Sequence, residues 1–516
     1  MYTVTLNKSF RDLGVTAYLS YTHQSYWNRP ASDNFSLSMS RYFDIGRLKN
    51  VSVSLAAYRN KFNKVTDDGA YISLSFPFGN SSNISYSADV KRDDTSHDVS
   101  YYDRVNENSS YQLRAGHSRR GNSMGGYVSH HGDIADTTAS INYQEGQYSS
   151  LSVSAQGGAV LTPEGGALHR NMMLGGTRLL VDTSGVPDVP VRGFGAPVYT
   201  NRFGKAVISD VNSYYRSSAR IDFGKLDDNA EATRSVVQTT LTEGAIGYRR
   251  FNVIAGAKAM AIIRLADGSV PPFGASVMNS KKQETGIIYD QGNIYLSGVH
   301  PAERMDVSWN GQVQCSVTLP ATLPDDLSGD AAHAGDRTAG AGRGGAGSYP
   351  DEQGNKLNGP LVLLPPVQRI EPGEKSQMKV QALPAAAQLP QDRETVYYFN
   401  LREIPPRSEK PNVLQIALQT RVKLFYRPAA IVPDRKAMEN PWQEQLTLTR
   451  QGDSYMAHNP TPYYITLVDA TTHKEGKTVA GFAPLMVPPK GSIKLGGSAS
   501  ALGNAPVLTY INDYGG

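Results

Sequence analysis

Apolar and polar residues alternate in short runs along the first third of the chain, from Tyr2 to about Ala159. In the run at 15–22, the odd-numbered residues are Val, Ala, Leu and Tyr, while the even-numbered residues are Thr, Tyr, Ser and Thr. About eleven such runs follow one another, separated by Asn, Asp, Gly and Ser. Because successive side chains of a β-strand point to opposite faces, this period predicts a series of two-faced strands.

Two-faced strands of this length are typical of transmembrane β-barrels, in which one side of each strand faces lipid. Aromatic residues such as Trp27, Tyr42 and Tyr148 lie near the ends of runs. That is where such barrels place their girdles at the membrane surfaces. We therefore predict that residues 1–164 form part of a transmembrane β-barrel. A soluble β-sandwich with one face in water explains the same alternation and remains the alternative at this point.

Shorter strands separated by Pro and Gly turns follow, and they predict two β-sandwich modules at 165–245 and 246–327. The next segment, 328–348, ends in GAGRGGAGS and has almost no bulky apolar side chain. Since it cannot bury enough surface to offset the entropy of ordering, we expect a disordered junction. It has no Gly-Lys followed by Ser or Thr, so a phosphate-binding loop is not expected.

Alternating strands return after the junction. The predicted strands are Val396–Leu401, Val413–Tyr426, Gln445–Thr449 and Tyr463–Val468. Pro-rich corners between them favour immunoglobulin-like sandwiches at 349–431 and 432–516. The fold class expected for the whole chain is all-β.

The composition of the chain argues against several classes of function. The net charge is only +4, and the basic residues are scattered rather than gathered into a stripe, so no nucleic acid partner is expected. Cys315 is the single cysteine, which excludes an intramolecular disulfide and a metal site built from cysteines. His130 and His131 are adjacent, so on a strand they point to opposite faces and cannot share a metal. We expect no metal, no cofactor and no catalytic residues, and hence no enzyme.

The segment ETVYYFNLREIPPRSEKPNVLQIALQTRVKLFYRPAAI, from Glu394 to Ile431, resembles the periplasmic pilus chaperones. PPVQRIEPGEKSQ, NPTPYYITL and the terminal YINDYGG extend this resemblance over about 349–516. It implies a protein that binds pilin subunits by donor-strand complementation, in which an extended segment supplies a strand that the partner lacks.

Leu414, Ile416 and Leu418 occupy alternate positions, so on a strand they point to one side and could fill the groove of an incomplete partner. An ordinary core strand has the same periodicity, and only the resemblance implies a donor strand. By the same resemblance, Lys423 corresponds to the lysine that anchors the terminal carboxylate of the pilin. These four residues are the expected pilin-binding residues.

The resemblance also assigns Glu394, Arg427 and Asp513 to a charge network between the two chaperone domains. Without it, they would pass for surface ion pairs, which contribute ~0–1 kcal/mol each.

The first part resembles the outer-membrane ushers of the same pilus systems. MYTVTLNKSFRDLGVTAYLSYTHQSYWNRPASDN corresponds to the second half of the usher barrel, and DGSVPPFGASV with GNIYLSGV to its C-terminal domains, over roughly 1–327. An usher is a pore that receives chaperone–pilin complexes and secretes the growing fibre. The resemblance implies an outer-membrane location with periplasmic domains, and pilins, chaperone–pilin complexes and outer-membrane lipid as partners.

Both resemblances are partial. About eleven strands stand where an usher closes a barrel of roughly two dozen. The second usher domain and both chaperone domains are expected to be truncated. Two alternatives therefore remain: a soluble periplasmic chaperone-like protein that binds pilins, or a non-functional product of gene fusion.

Overall fold

The computed structural model describes residues 1–79, 81–171, 175–209, 211–323, 339–340, 349–350, 356–357, 360–405, 410–433 and 440–516. The predicted junction at 328–348 lies outside them, apart from Ala339–Gly340. The chain divides into two compact units: Met1–Ile254 with Ile370–Ser376, and Ala255–Arg369 with Gln377–Gly516. Nearly all regular structure is strand, which confirms the predicted all-β class. Among the described residues, no helix is long and apolar enough to cross a membrane.

An eleven-stranded antiparallel sheet begins the first unit, and each strand pairs with its neighbours in sequence. The strands are β1 Tyr2–Phe10, β2 Val15–Gln24, β3 Ser32–Ile45, β4 Leu48–Phe62, β5 Val65–Phe78, β6 Ser82–Lys91, β7 Thr95–Arg104, β8 Ser109–Ser118, β9 Gly121–His131, β10 Asp136–Gln144 and β11 Tyr148–Gln156. Asn63 and Lys64, with φ of 46° and 66°, form the tight turn between β4 and β5. Positive φ at both central residues is characteristic of hairpin turns that match the strand twist.

The two faces of this sheet differ in chemistry. Leu6, Leu19 and Leu37 lie opposite one another on three adjacent strands. Their sequence neighbours on the other face include Ser20 and Ser36, which are likewise paired. Leu6 is 64% exposed, so the apolar face has no protein cover here. The alternation in the sequence is thus preserved as one apolar and one hydroxyl-rich surface.

A hairpin and a β-sandwich complete the first unit. Their strands are β12 Gly158–Thr162, β13 Gly165–His169, β14 Arg178–Asp182, β15 Pro190–Arg192, β16 Val198–Tyr199, β17 Lys205–Ile208, β18 Arg216–Ile221, β19 Ala230–Arg234, β20 Val236–Thr240, β21 Ile246–Arg250 and β22 Asn252–Ala255. The sheets β17-β14-β21 and β16-β15-β18-β20 share a core that contains Val181, Val191 and Ile221. Along β18, buried and exposed residues alternate, as expected for a strand with one face in a core.

The second unit begins with another sandwich. Its strands are β23 Ala257–Ile263, β24 Ser276–Met278, β25 Glu284–Ile287, β26 Asn293–Val299, β27 Arg304–Trp309 and β28 Gln312–Thr318. The sheet β25-β24-β27-β28 packs on the pair β23-β26, with Leu296, Met305 and Val307 in the core. A 3-10 helix, Asp290–Gly292, precedes β26.

Strand β29 Ala339–Gly340 pairs with β23, and short hairpins follow it. The strands of these hairpins are β30 Tyr349–Pro350, β31 Lys356–Leu357, β32 Leu361–Leu364, β33 Lys379–Ala382, β34 Thr395–Arg402 and β35 Gln419–Tyr426. β32 pairs with β33, and β34 pairs with β35. 3-10 helices lie at Pro384–Gln388 and Ala429–Ile431. The strand predicted over Val413–Tyr426 forms only from Gln419 onward, because its partner β34 ends at Arg402, directly opposite Gln419.

A final sandwich contains two three-stranded sheets, β36-β37-β40 and β39-β38-β41. The strands are β36 Thr447–Gln451, β37 Ser454–Asn459, β38 Ile465–Thr471, β39 Leu485–Val487, β40 Gly491–Lys494 and β41 Val507–Ile511. Its core contains Ala457, Ile465 and Leu467. A 3-10 helix, Trp442–Gln445, precedes β36, and one helical turn, α1 Ala499–Leu502, is capped by the Ser498 side chain, which accepts from the Ala501 N–H.

Candidate functional site

The β34–β35 hairpin places Lys423 beside the final sandwich. Lys423 lies opposite Tyr398 in the ladder, and its Nζ donates to the Thr466 hydroxyl on β38 at 3.2 Å. In the part of the chain that the structure describes, no carboxylate lies within ion-pair distance of this ammonium. Removal of water by the surrounding protein lowers the pKa of Lys423. A cation with only a neutral partner is suited to hold an incoming anion.

Glu394, Arg427 and Asp513 meet at one end of the same hairpin. Arg427 Nε donates to Glu394 Oε1 at 2.7 Å, and Arg427 Nη1 donates to Asp513 Oδ2 at 2.8 Å. The backbone N–H of Tyr464 donates to Glu394 Oε2 at 2.6 Å. The network therefore ties the hairpin to the loop before β38 and to the residues after β41.

Glu394 is the buried member of this network, with 4% of its surface exposed. Burial raises the pKa of Glu394, although the Tyr464 N–H and the Arg427 guanidinium act in the opposite direction. Burial also disfavours the charged form of Arg427, but the hydrogen bonds from its guanidinium to Asp513 and Glu394 outweigh this and raise its pKa. The guanidinium also lies over the rings of Trp442 and Tyr463, at 5.4 Å and 5.1 Å from their centroids.

Leu414, Ile416 and Leu418 lie just before β35 and are 85%, 69% and 66% exposed. They belong to no strand, since the ladder ends at Gln419. One further hydrogen bond, from the Glu403 N–H to the Leu418 carbonyl at 2.9 Å, continues the pairing beyond the strand. The three side chains are thus held next to an existing ladder without being covered.

Three contacts at this site are absent from the sequence-based prediction. Arg421, two residues before Lys423, stacks over the Tyr398 ring at 4.0 Å. Its i, i+2 spacing from Lys423 places both cations on one side of β35, and this spacing is visible in the sequence. Thr466 and Tyr464 carry no such signal, because they reach the site only through the packing of the final sandwich.

The polar face of the eleven-stranded sheet carries a second cluster. Arg114 Nη1 donates to Asp98 Oδ1 at 2.8 Å, and Asp98 lies opposite Gly116 in the ladder. A Cβ at Gly116 would fall 2.4 Å from Asp98 Oδ1 and 2.6 Å from Ser123 Oγ. Glycine at 116 therefore leaves space for the ion pair above the strand.

Family models match nearly the whole chain. The model described as "Outer membrane usher protein" matches residues 1–251, and "PapC C-terminal domain" matches 260–322. "Pili and flagellar-assembly chaperone, PapD N-terminal domain" matches 346–432, and "Pili assembly chaperone PapD, C-terminal domain" matches 441–516. The first part of the chain thus matches models of the outer membrane usher, and the last part belongs to the PapD-type pili assembly chaperone family. Both predicted resemblances are confirmed.

Individual relatives divide in the same way. The chain is 54% identical over 327 residues to the putative outer membrane usher protein YfcU of Escherichia coli K12. These residues are 63% of this chain and 37% of YfcU. It is 45% identical over 332 residues to the Escherichia coli usher PapC, covering 63% of this chain and 39% of PapC. Its last part is 48% identical over 166 residues to the Escherichia coli chaperone PapD, covering 32% of this chain and 67% of PapD. The chain thus spans less than half the length of these usher relatives.

Proposed function

We propose that this chain acts in pilus biogenesis by the chaperone–usher pathway. Its first part is an outer-membrane segment with usher-like translocation and assembly of pilin subunits, and its last part binds pilins. The partners are pilin subunits, chaperone–pilin complexes and outer-membrane lipid. The role is one of binding and transport without catalysis. The matches to the usher models and membership of the chaperone family support this proposal.

The chemistry of the eleven-stranded sheet supports a membrane location. The row formed by Leu6, Leu19 and Leu37 is open to the surroundings, and an apolar face of this extent is stable in lipid rather than in water. The opposite face carries Ser20 and Ser36 in register and suits a water-filled passage. In this proposal the lipid covers the leucine row.

The observation that carries pilin binding is the exposed run before β35. Leu414, Ile416 and Leu418 recur at every second residue, so an extended conformation directs all three to one side. Their backbone continues a ladder that already exists, which is the requirement for adding a strand to an incomplete partner. A pilin that lacks one strand would accept this run.

Lys423 and the charge network complete the proposed site. The Lys423 ammonium, held by the Thr466 hydroxyl, would bind the C-terminal carboxylate of the pilin. Glu394, Arg427 and Asp513 would fix the hairpin against the final sandwich and so hold Lys423 in place.

We propose the following division of the chain into domains. They are the membrane segment 1–164, the usher sandwiches 165–245 and 246–327, the junction 328–348, and the chaperone domains 349–431 and 432–516.

The direct test is the affinity of the full chain for a purified pilin subunit whose fold lacks one strand. Leu414→Asn, Ile416→Asn and Leu418→Asn are each expected to weaken binding tenfold or more, since each side chain contributes ~1.5–3 kcal/mol when fully buried. Gln415→Asn and Ala417→Asn are matched controls, because they alter the intervening positions of the same run. Equal losses in both groups would contradict the proposal.

A further inference from the structure

Strand β32 is buried on both of its faces. Leu361, Val362, Leu363 and Leu364 are exposed by 5%, 5%, 6% and 1%. Since successive side chains of a strand point to opposite sides, a single covering layer could bury only every second one of them. Two different layers must therefore cover β32.

The first layer belongs to the chaperone part. Leu361 and Leu363 pack with Tyr397 of β34, and Leu424 of β35 lies against the same cluster. This is the core expected within the first chaperone domain. It accounts for one face of β32.

The second layer belongs to the usher part. Val362 and Leu364 pack with Met260 of β23 and Tyr295 of β26. β26 is itself buried on both faces. Leu296, which follows Tyr295 and points to the opposite side, lies in the core of the second usher sandwich. The pair β23-β26 is thus shared between that sandwich core and the contact with β32.

Two polar groups at the edge of the contact between β32 and the pair β23-β26 are shielded from water. Tyr289 packs against the same cluster, and its hydroxyl is buried with no hydrogen-bond partner among the described residues. Burial raises the pKa of Tyr289 to about 12. Burial likewise raises the pKa of Glu284 on β25, while the nearby charge of Arg369, which follows β32 in the chain, opposes the shift.

We infer that the face formed by Met260 and Tyr295 on the second usher sandwich is a strand-binding surface whose occupant is β32 of the chaperone segment. The usher sandwich and the first chaperone domain then share one continuous core and open together. A two-stranded hairpin such as β32–β33 is marginal alone, and this surface supplies the cover that it needs. The inference goes beyond pilin binding and does not depend on it.

Hydrogen–deuterium exchange on the full-length protein tests this coupling. Val362→Asn places an amide against Met260 and Tyr295, and it is expected to speed exchange at least tenfold both in β26 and in β32–β33. Val380→Asn is the matched control, because Val380 lies on β33 and is 43% exposed. It is expected to leave β26 unchanged. Faster exchange confined to the chaperone side in the Val362→Asn protein would overturn the inference.

A second variant keeps the test informative if Val362→Asn does not fold. Tyr289→Phe removes a hydroxyl that is buried without a partner, so it is expected to slow exchange of β26 and β32 together by up to about tenfold. The change keeps the ring and its packing. Unchanged or faster exchange in either strand would show that Tyr289 is not buried in a core that β26 and β32 share, and it would contradict the inference.

Discussion

At the scale of single residues, some positions of the chaperone-like site can be predicted from the sequence, whereas the residues that they contact cannot. Lys423 and Arg427 belong to a recognisable segment, and the alternation within it fixes the face of β35 on which Lys423 lies. The alternation cannot say what lies opposite each face. Thr466 reaches Lys423, and the Tyr464 N–H reaches the Glu394 carboxylate that pairs with Arg427, only because the final sandwich packs against the hairpin.

The first prediction concerns the pH dependence of anchoring by Lys423. Its pKa is lowered by loss of water, so the ammonium loses its proton at a lower pH than an ordinary lysine does. Affinity for a peptide with a free C-terminal carboxylate should therefore fall as the pH rises through this lowered pKa. The affinity of the same peptide with an amidated C-terminus should be weaker and independent of pH in that range. Lys423→Met should make the two peptides bind alike, and a persistent preference for the carboxylate would contradict the assignment.

The second prediction concerns Glu394. Glu394→Ala leaves the Tyr464 N–H without its acceptor and removes one partner of a buried ion pair, at a cost of roughly 3–5 kcal/mol. Glu394→Gln keeps an acceptor for that N–H and should cost less. Trp442, under the Arg427 guanidinium, reports the change in denaturant unfolding followed by fluorescence, with Trp27 and Trp309 replaced by Phe. Equal destabilisation by both substitutions would show that the acceptor is unimportant.

At the scale of elements, a turn of the eleven-stranded sheet is joined to the first sandwich by charges. Arg192 Nη2 on β15 donates to Glu107 Oε2 at 2.8 Å and to Asp222 Oδ2 at 2.9 Å. Glu107 lies between β7 and β8, and the hydrogen bond from Arg192 lowers its pKa. Burial disfavours the charged form of Asp222, but Arg192 and the Gly224 N–H outweigh this and lower its pKa as well.

The lowered pKa values of Glu107 and Asp222 determine the direction of the third prediction, which concerns stability at low pH. A carboxylate whose pKa is lower in the folded state than in the unfolded state contributes stability above its unfolded pKa, and loses it as the pH falls through the folded value. The attachment of the sandwich to the turn should therefore weaken below about pH 4. Protection of the Val191 and Arg192 amides against hydrogen exchange, relative to the intrinsic rate at each pH, should decrease between pH 7 and pH 3.5. Glu107→Gln should reduce this pH dependence, and full protection of the wild-type segment at pH 3.5 would argue against the linkage.

The strands also show where prediction from sequence ends. The eleven alternating runs became eleven strands, because a period of two and short turns leave each strand only its neighbours to pair with. The run at 413–418 has the same period but is not a strand, since the ladder with β34 ends at the pair Arg402 and Gln419 and only the hydrogen bond from the Glu403 N–H to the Leu418 carbonyl continues it. A strand needs a partner, and local sequence does not state whether one is present.

At the scale of the whole molecule, the fold class and the two families could be predicted from the sequence, whereas the shared layer around β32 could not. The run LVLL at 361–364 looks like any short core strand. Its second face is covered by Met260 and Tyr295, about a hundred residues earlier in the chain. Such a contact depends on which surfaces of the usher-like and chaperone-like parts meet. The periodicity of apolar residues carries no information about which surfaces meet.

In the proposed function, the eleven-stranded sheet is a membrane element with one face in lipid. Spin labels on single cysteines that replace Ser36 or Leu37, in a Cys315→Ser protein in purified outer membranes, measure this location. These neighbours lie on opposite faces of β3. Dissolved oxygen should relax the label at 37, and a water-soluble nickel complex should relax the label at 36. Labels at 151 and 152 should show the same alternation, with oxygen access at 151 and nickel access at 152. Equal access of the nickel complex to both positions of each pair, or recovery of the protein in the soluble fraction, would contradict it.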